Sequence, residues 1–556
     1  MFATMFRNFL YIFLYIDICF LMICPGQAQI SHSGQPLPLT VTKSATEDWF
    51  VELPPFDLEE QLRIDSLEAT DFRNGYRFAY KFMTDYTPEN SGTRFTLSDG
   101  TRVWRLGIRS QGALSLNLLF NSYHVPEGAK LFLYNSDQTD VRGAFNHLNN
   151  SDLGLLPVAP IEGEELIIEY QEPADAEFPG ELVVGEVNHG YRDFRISGPQ
   201  EDRQSFACMP AVACLQDTTD RYDEVERSVV LLIIDGNIGC TGTLVNNTAH
   251  DGTPYLLTAS HCLNRDFTLT NPDYATIAGS VVCYFNYNSP QCEPVEPGRT
   301  DQTLASAYCR AVNEQTDMAL LEMLDTPPEA YGAYYAGWNA QDVGTAPYAC
   351  IHHPQGAPKR ISLAEGIERR TFYTTATVFD ENAHWLVSRW TAGCTAAGSS
   401  GSPLFDAENR VLGGLTGGQS LCNNPINDYF FTLQSCWDEP ADSSRQLQCW
   451  LDPLNSGTRL CEGLNPDELK TTNIRITSSL PSEEVRISAN GHFLHIAFAQ
   501  PVGEVVFTLF TLDGKAMRQR TFQTQNAEVE VGTLPAGVYI AQFVYQGKRH
   551  TQKILL

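Results

Sequence analysis

The sequence predicts an all-β chain built from several domains, and three observations carry that expectation. Apolar and polar residues alternate with a period of two, as in Trp104-Arg105-Leu106-Gly107-Ile108 and Leu114-Ser115-Leu116-Asn117-Leu118. Turn-forming clusters such as Ser98-Asp99-Gly100 and Pro126-Glu127-Gly128 separate the runs. Helical periodicity is scarce, with one short helix expected near residues 446–451. At 556 residues the chain is also too long for a single hydrophobic core.

Residues 1–28 read as a secretory signal. Arg7 precedes a mostly apolar run to Cys24, and Pro25-Gly26-Gln27-Ala28 supplies a small, turn-forming cleavage region. Asp17 interrupts the run, and a spanning helix needs about 20 apolar residues. No later segment is apolar enough to cross a bilayer as a helix, so the mature protein is expected not to span a membrane.

Residues 29–203 form the first module, an expected β-sandwich without catalytic side chains, ending at an exposed joint at 198–202. Residues 204–468 hold every candidate catalytic group and all thirteen cysteines that follow Cys24. Such clustering indicates a disulfide-stapled domain in an oxidising compartment. Apolar strands are expected at 229–234, 281–285, 318–323 and 411–415. Residues 469–556 lack cysteine and carry hairpin signals such as Leu512-Asp513-Gly514-Lys515, which predicts a second, smaller β-sandwich. The formal charge of −30 argues against nucleic acid or an anionic membrane as partner.

The chemistry concentrates in two motifs. Gly398-Ser399-Ser400-Gly401-Ser402-Pro403 places a serine hydroxyl on a tight bend, where the N–H groups of Gly398 and Ser400 can converge on one oxygen. Thr258-Ala259-Ser260-His261-Cys262 places a histidine at the end of an apolar strand. A serine hydroxyl needs a base to take its proton as it attacks, and the imidazole needs a carboxylate to fix its tautomer. Asp317, in Thr316-Asp317-Met318-Ala319-Leu320-Leu321, is the candidate carboxylate, because a charge at the head of a buried strand requires a partner. His261, Asp317 and Ser400 are therefore the expected triad. No metal site or cofactor is expected, since His352-His353 is adjacent and cannot present both rings on one helix face.

These motifs resemble the trypsin-like serine peptidases and, more closely, the bacterial lysyl endopeptidases. The likeness extends over about 208–463 through Leu244-Val245-Asn246-Asn247-Thr248-Ala249, Ala336-Gly337-Trp338, Ile351-His352-His353-Pro354, Lys359-Arg360-Ile361-Ser362 and Trp450-Leu451-Asp452-Pro453. It implies a chymotrypsin-like double β-barrel, flanked by the two sandwiches, with the active site in the cleft. It also implies the bridges Cys208–Cys422, Cys214–Cys292 and Cys240–Cys262, leaving seven cysteines unassigned. The trypsin pocket position, six residues before the serine, holds Cys394. The lysyl endopeptidase pocket carboxylate instead corresponds to Asp428, suited to one compact ammonium, with a surface turn as its ordinary alternative. The family's activity-enhancing tryptophan corresponds to Trp390, with a core role as its alternative.

The implied function is a secreted endopeptidase that cleaves polypeptides after lysine through an acyl-enzyme. Only Lys359 lies between Lys130 and Lys470, which would protect such an enzyme from itself. The alternatives are the same mechanism with arginine or glutamate preference, and an inactive adhesin or scaffold of the same fold. An activating aspartate just before the serine is replaced by Ser399. The resemblance implies removal of the first module, with a mature start near Gln204 after Arg203, and hence an arginine-cutting activating protease. The last module, through Leu534-Pro535-Ala536-Gly537-Val538-Tyr539 and Lys553-Ile554-Leu555-Leu556, resembles the C-terminal sorting domains of type IX secretion in Bacteroidota. That implies the type IX machinery as a partner, delivery outside the cell or to its outer surface, and release near Lys470.

Overall fold

Two sheets, one of eight strands and one of nine, frame the cysteine-rich region in the computed structural model. The structure describes residues 34–39, 49–68, 75–193, 208–216, 220–264, 272–293, 295–374 and 379–466. Beyond these it describes 485–489, 493–498, 503–511, 515–523, 526–531, 538–545 and 548–555. The signal at 1–28, the joint at 198–202, the Arg203–Gln204 junction, Lys470 and Leu534–Gly537 lie outside the described residues.

The eight-stranded sheet centres on Val229–Ile234, which pairs antiparallel with Ile238–Val245 on one side and Val282–Tyr284 on the other. Its sequence, Val-Val-Leu-Leu-Ile-Ile, is buried at every position. A continuous apolar run rich in β-branched residues suits a strand covered on both faces, with about 1.5–3 kcal/mol gained per large apolar side chain. Tyr255–Ala259 and Met318–Met323 continue this barrel. The nine-stranded sheet runs through Tyr348–His352, Pro403–Phe405, Val411–Gly418, Asp428–Thr432 and His384–Val387. One apolar core joins the barrels, with Leu257, Met318 and Leu320 from the first packed among Ile351, Phe405 and Phe431 from the second.

The first module is a sandwich of a six-stranded and a four-stranded sheet, closed around Leu106, Phe120, Leu131, Ile168 and Val187. It also carries the helix Leu58–Glu68, which the alternation did not predict. The chain separates into two compact units, 1–466 and 467–556, so the sandwich and the barrels form one unit. A direct physical link is the strand Tyr76–Arg77, which pairs antiparallel with Ile238–Gly239 of the first barrel.

The second unit is a sandwich of three- and four-stranded sheets. Leu494, Ile496 and Val529 from one sheet pack with Phe507, Leu509 and Phe543 from the other. The 512–515 turn signal falls between the paired strands Val505–Thr511 and Ala516–Phe522. The architecture is all-β as expected. Strands at 229–234 and 318–323 match their predicted bounds, that at 411 runs on to Gly418, and the late helix shortens to Gln448–Leu451.

Candidate active site

His261 sits in a single helical turn, Ser260–Cys262, that follows the strand Tyr255–Ala259. The neighbouring strand Met318–Met323 pairs with it in register from Ala259↔Met318, which brings Asp317 alongside the turn. The Asp317 carboxylate lies 2.9 and 3.0 Å from His261 Nδ1 through its two oxygens. It also accepts from the His261 backbone N–H and the Ser260 hydroxyl, both at 3.0 Å. Both side chains are fully buried. Three donors around a buried carboxylate offset its desolvation and fix the ring orientation. The bridge Cys240–Cys262 ties this turn to the strand Ile238–Val245.

Ser400 comes from the second barrel, and the same strand stitches it to the first. Thr241 donates its N–H to Ser400 O and its hydroxyl to Gly398 O, each at 2.9 Å. Gly398 and Gly401 take φ of +89° and +83°, the left-handed region that glycine enters without a Cβ penalty. Space makes the same demand. A Cβ on Gly401 would lie 2.4 Å from Thr241 O and 2.9 Å from Ala259 N, and one on Gly398 would lie 2.9 Å from His353 O. The serine turn is thus pressed against the strand that leads into His261.

Asp428 heads the strand Asp428–Thr432 and is completely buried, so the surface-turn alternative does not hold. Its Oδ2 accepts from Trp390 Nε1 at 2.6 Å, Ser420 Oγ at 2.6 Å and Thr395 Oγ at 2.8 Å. Burial pushes this carboxyl above the ordinary range, and the hydrogen bonds from Ser420, Trp390 and Thr395 oppose the rise. Thr395 belongs to the segment that leads into the serine turn, so a hydrogen bond ties Asp428 to that segment. Trp390 is buried in the core, as its ordinary alternative has it, and also donates to Asp428. Sequence reasoning missed Ser260, Thr395 and Ser420. Ser260 was detectable as the neighbour of His261, whereas the other two meet Asp428 across loops that carry no periodic signal.

The bridges Cys208–Cys422, Cys214–Cys292 and Cys240–Cys262 are present, and the other seven cysteines among the described residues form no disulfide. Cys208, Cys394 and Cys422 group their sulfurs closely, but two of them are consumed by a disulfide and offer no thiolate to a metal.

The first module covers this region. Its strand Tyr76–Arg77 lies on Ile238–Gly239, and a Cβ on Gly398 would come within 3.2 Å of Tyr76 Cβ. Asn117 Nδ2 donates to Gly236 O at 2.9 Å, and Lys81 forms ion pairs with Glu186 and Asp235. Asp65 holds the covering strand through Arg77 at 3.1 Å and Arg192 at 2.8 Å. With the module in place, Ser400 is 5% and His261 1% exposed.

Two facing barrels, a His–Asp pair and a glycine-flanked serine bend define the serine-protease class. Residues 203–431 match the family described as "Lysyl endopeptidase, C-terminal domain". The chain is homologous to a lysyl endopeptidase of Pseudomonas aeruginosa, with 29% identity over 375 residues that cover 61% of this chain and 75% of the relative. Among solved structures it is similar to the active form of the Rv3671c protease of Mycobacterium tuberculosis, at 17% identity and a TM-score of 0.27, covering 40% of this chain and 82% of that one. It is also similar to a Glu endopeptidase, at 17% identity and a TM-score of 0.25, covering 39% and 88%.

Proposed function

We propose that this serine endopeptidase cleaves polypeptides after lysine, is exported, and is held latent by its own first module. The observation that carries the reading is the buried His261–Asp317 pair, set beside the strand to which the Ser400 turn is bonded. In this mechanism Ser400 Oγ attacks the scissile carbonyl while His261 Nε2 takes its proton. Asp317 keeps Nδ1 protonated and stabilises the imidazolium that forms. The oxyanion is received by the N–H groups of Gly398 and Ser400. His261 then protonates the leaving amine, and water repeats the sequence in reverse on the acyl-enzyme.

Lysine preference rests on Asp428, whose buried carboxylate is pre-oriented by three neutral donors. An ammonium can pair with such a group as a point charge, whereas a guanidinium needs a wider, bidentate face. Latency rests on the strand Tyr76–Arg77 lying beside Gly398. Maturation would follow a cut after Arg203 by an arginine-specific protease, and the last module would route the protein through type IX export.

The test is labelling by a fluorophosphonate before and after removal of residues 1–203, followed by profiling with lysine, arginine and glutamate esters. Labelling that appears on removal, is lost in Ser400→Ala and accompanies lysine ester turnover supports the proposal. Labelling that persists in Ser400→Ala removes the serine from the mechanism, and preferred arginine or glutamate turnover reassigns the pocket.

A further inference from the structure

We propose that His352 is a positioning residue for the serine turn, acting through Ser399. The inference rests on the serine-endopeptidase reading and adds the group that holds the turn in its working shape.

His352 closes the strand Tyr348–His352, and its ring is completely buried behind the bend. Its Nδ1 lies 2.7 Å from Ser399 Oγ, and its Nε2 lies 3.3 Å from Ser362 Oγ. The hydroxyl of Ser362 donates to Cys394 O at 2.9 Å. Ser362 has one proton, and it is committed to that carbonyl, so its oxygen accepts from His352 Nε2–H. His352 Nδ1 is then the unprotonated nitrogen and accepts from the Ser399 hydroxyl. Ser399 Oγ in turn accepts from the Ala396 N–H at 3.2 Å. Each donor and acceptor in this relay is used by one neutral tautomer. A second ring proton would face the Ser399 hydroxyl and leave the relay frustrated. Burial, helped by Arg360, pushes the imidazole down to about 3, which keeps that neutral form in place.

The relay grips the approach to the bend at two points, Cys394 through Ser362 and Ala396 through Ser399. Backbone contacts complete the grip, with Gln355 N donating to Ala397 O at 2.6 Å and His353 N donating to Thr241 Oγ at 3.1 Å. Thr241 Oγ itself holds Gly398 O. The segment from Cys394 to Gly398 therefore hangs from the strand end at His352–His353. An ion pair with a new amino terminus is not needed to shape it. Maturation on this account uncovers the cleft without rebuilding the bend.

The test compares Ser399→Ala, His352→Leu and His352→Asn in protein freed of its first module. Ser399→Ala and His352→Leu should lower kcat on a lysine ester by about 10–100-fold while KM stays within about two-fold, because a misplaced bend costs the transition state more than the bound substrate. Affinity for a peptide boronate, which mimics the tetrahedral adduct, should fall in the same proportion. His352→Asn, whose side-chain oxygen can accept near the Nδ1 position, should recover most of kcat. Unchanged kcat in Ser399→Ala overturns the proposal, as does an Asn variant no better than Leu. Ser399→Ala removes one buried atom and decides the matter if His352→Leu does not fold. Fluorophosphonate labelling of the parent separates the two readings. An unlabelled parent overturns both, whereas a labelled parent with an indifferent Ser399→Ala overturns this one alone.

Discussion

The Trp390 indole N–H donates to Asp428 Oδ2 at 2.6 Å, the same oxygen that accepts from Thr395 in the segment leading into the serine turn. A hydrogen bond to a charged acceptor contributes about 1.5–3 kcal/mol, more than a neutral one. Trp390→Phe keeps most of the packing against Phe430 and removes only that donor. The expected result is a fall of about 10–100-fold in kcat/KM for lysine esters. Losing a contact that lowers the Asp428 pKa should also move the pH at which lysine substrates begin to bind upward. Michaelis parameters measured across pH check both effects.

Asp428 itself carries a sign that stability measurements can read. Its folded pKa is raised by burial, so its contribution to folding is fully present below the unfolded carboxylate value and is lost as pH rises through the folded one. Asp428→Asn cannot ionise. The variant should therefore match the parent in thermal stability at low pH and equal or exceed it at neutral pH. Lysine cleavage should fall by about 30–1000-fold, the cost of removing one partner from a buried charge pair. A variant that is destabilised at neutral pH, or still cleaves after lysine at the parent rate, contradicts this account.

In the proposed mechanism Asp317 has the opposite task, orienting a base. Asp317→Asn replaces an acceptor facing His261 Nδ1 with a group that can present N–H instead, favouring the wrong imidazole tautomer. A loss in kcat on the order of 10⁴-fold is expected, with substrate affinity little changed. Ser260→Ala removes one hydroxyl donor from the same carboxylate and should cost only about 3–10-fold. Single-turnover acylation rates distinguish the two.

Much of this site could be read from the chain, for identifiable reasons. Met318–Met323 is a continuous apolar run preceded by a lone carboxylate, so both strand and partner are visible locally. The glycines at 398 and 401 declare the bend by their conformational needs. Other parts leave no such trace. Thr395 and Ser420 reach Asp428 over 33 and 8 positions, through loops whose hydrogen bonds follow no period. The covering strand Tyr76–Arg77 is two residues long, below any pattern of alternation. The helix Leu58–Glu68 has Leu58, Leu62 and Leu67 all exposed, so its apolar residues never form the buried stripe that announces a helix.

The proposed latency would depend on the anchoring of that short strand. Asp65 receives Arg77, Arg192 and the Tyr191 hydroxyl, the last at 2.7 Å. Asp65→Ala leaves two guanidinium groups without their shared carboxylate and should loosen Tyr76 from Gly398 without touching the barrels. Faster fluorophosphonate labelling of the unprocessed variant is expected, with no change in the rate once the module has been removed. Equal labelling of parent and variant precursors would place the block elsewhere in the module.

Cys394 poses a different question, because its thiol lies 3.5 Å from Cys208 Sγ, one half of the Cys208–Cys422 bridge. A Cys394 thiolate could attack Cys208 Sγ, forming a Cys208–Cys394 bond and expelling Cys422 as the thiolate, with no external oxidant. The reacting species is the anion, and burial, reinforced by the Asp428 charge, pushes the Cys394 thiol up to about 12. Exchange should therefore be suppressed at neutral pH and accelerate by about ten-fold per pH unit as the thiolate fraction grows. Cys422 is the exposed partner, so an alkylating reagent in solution would capture it after exchange. Peptide mapping should find Cys208–Cys422 intact after neutral incubation and alkylated Cys422 after alkaline incubation, with Cys394→Ala abolishing the alkaline product. The bridged Cys208 fixes the chain just before Pro210 and Ala211, which bond and pair with Ile361 and Arg360 beneath the serine turn. Loss of lysine esterase activity should accordingly track the alkylation of Cys422, and activity that survives complete exchange would separate this bridge from the pocket.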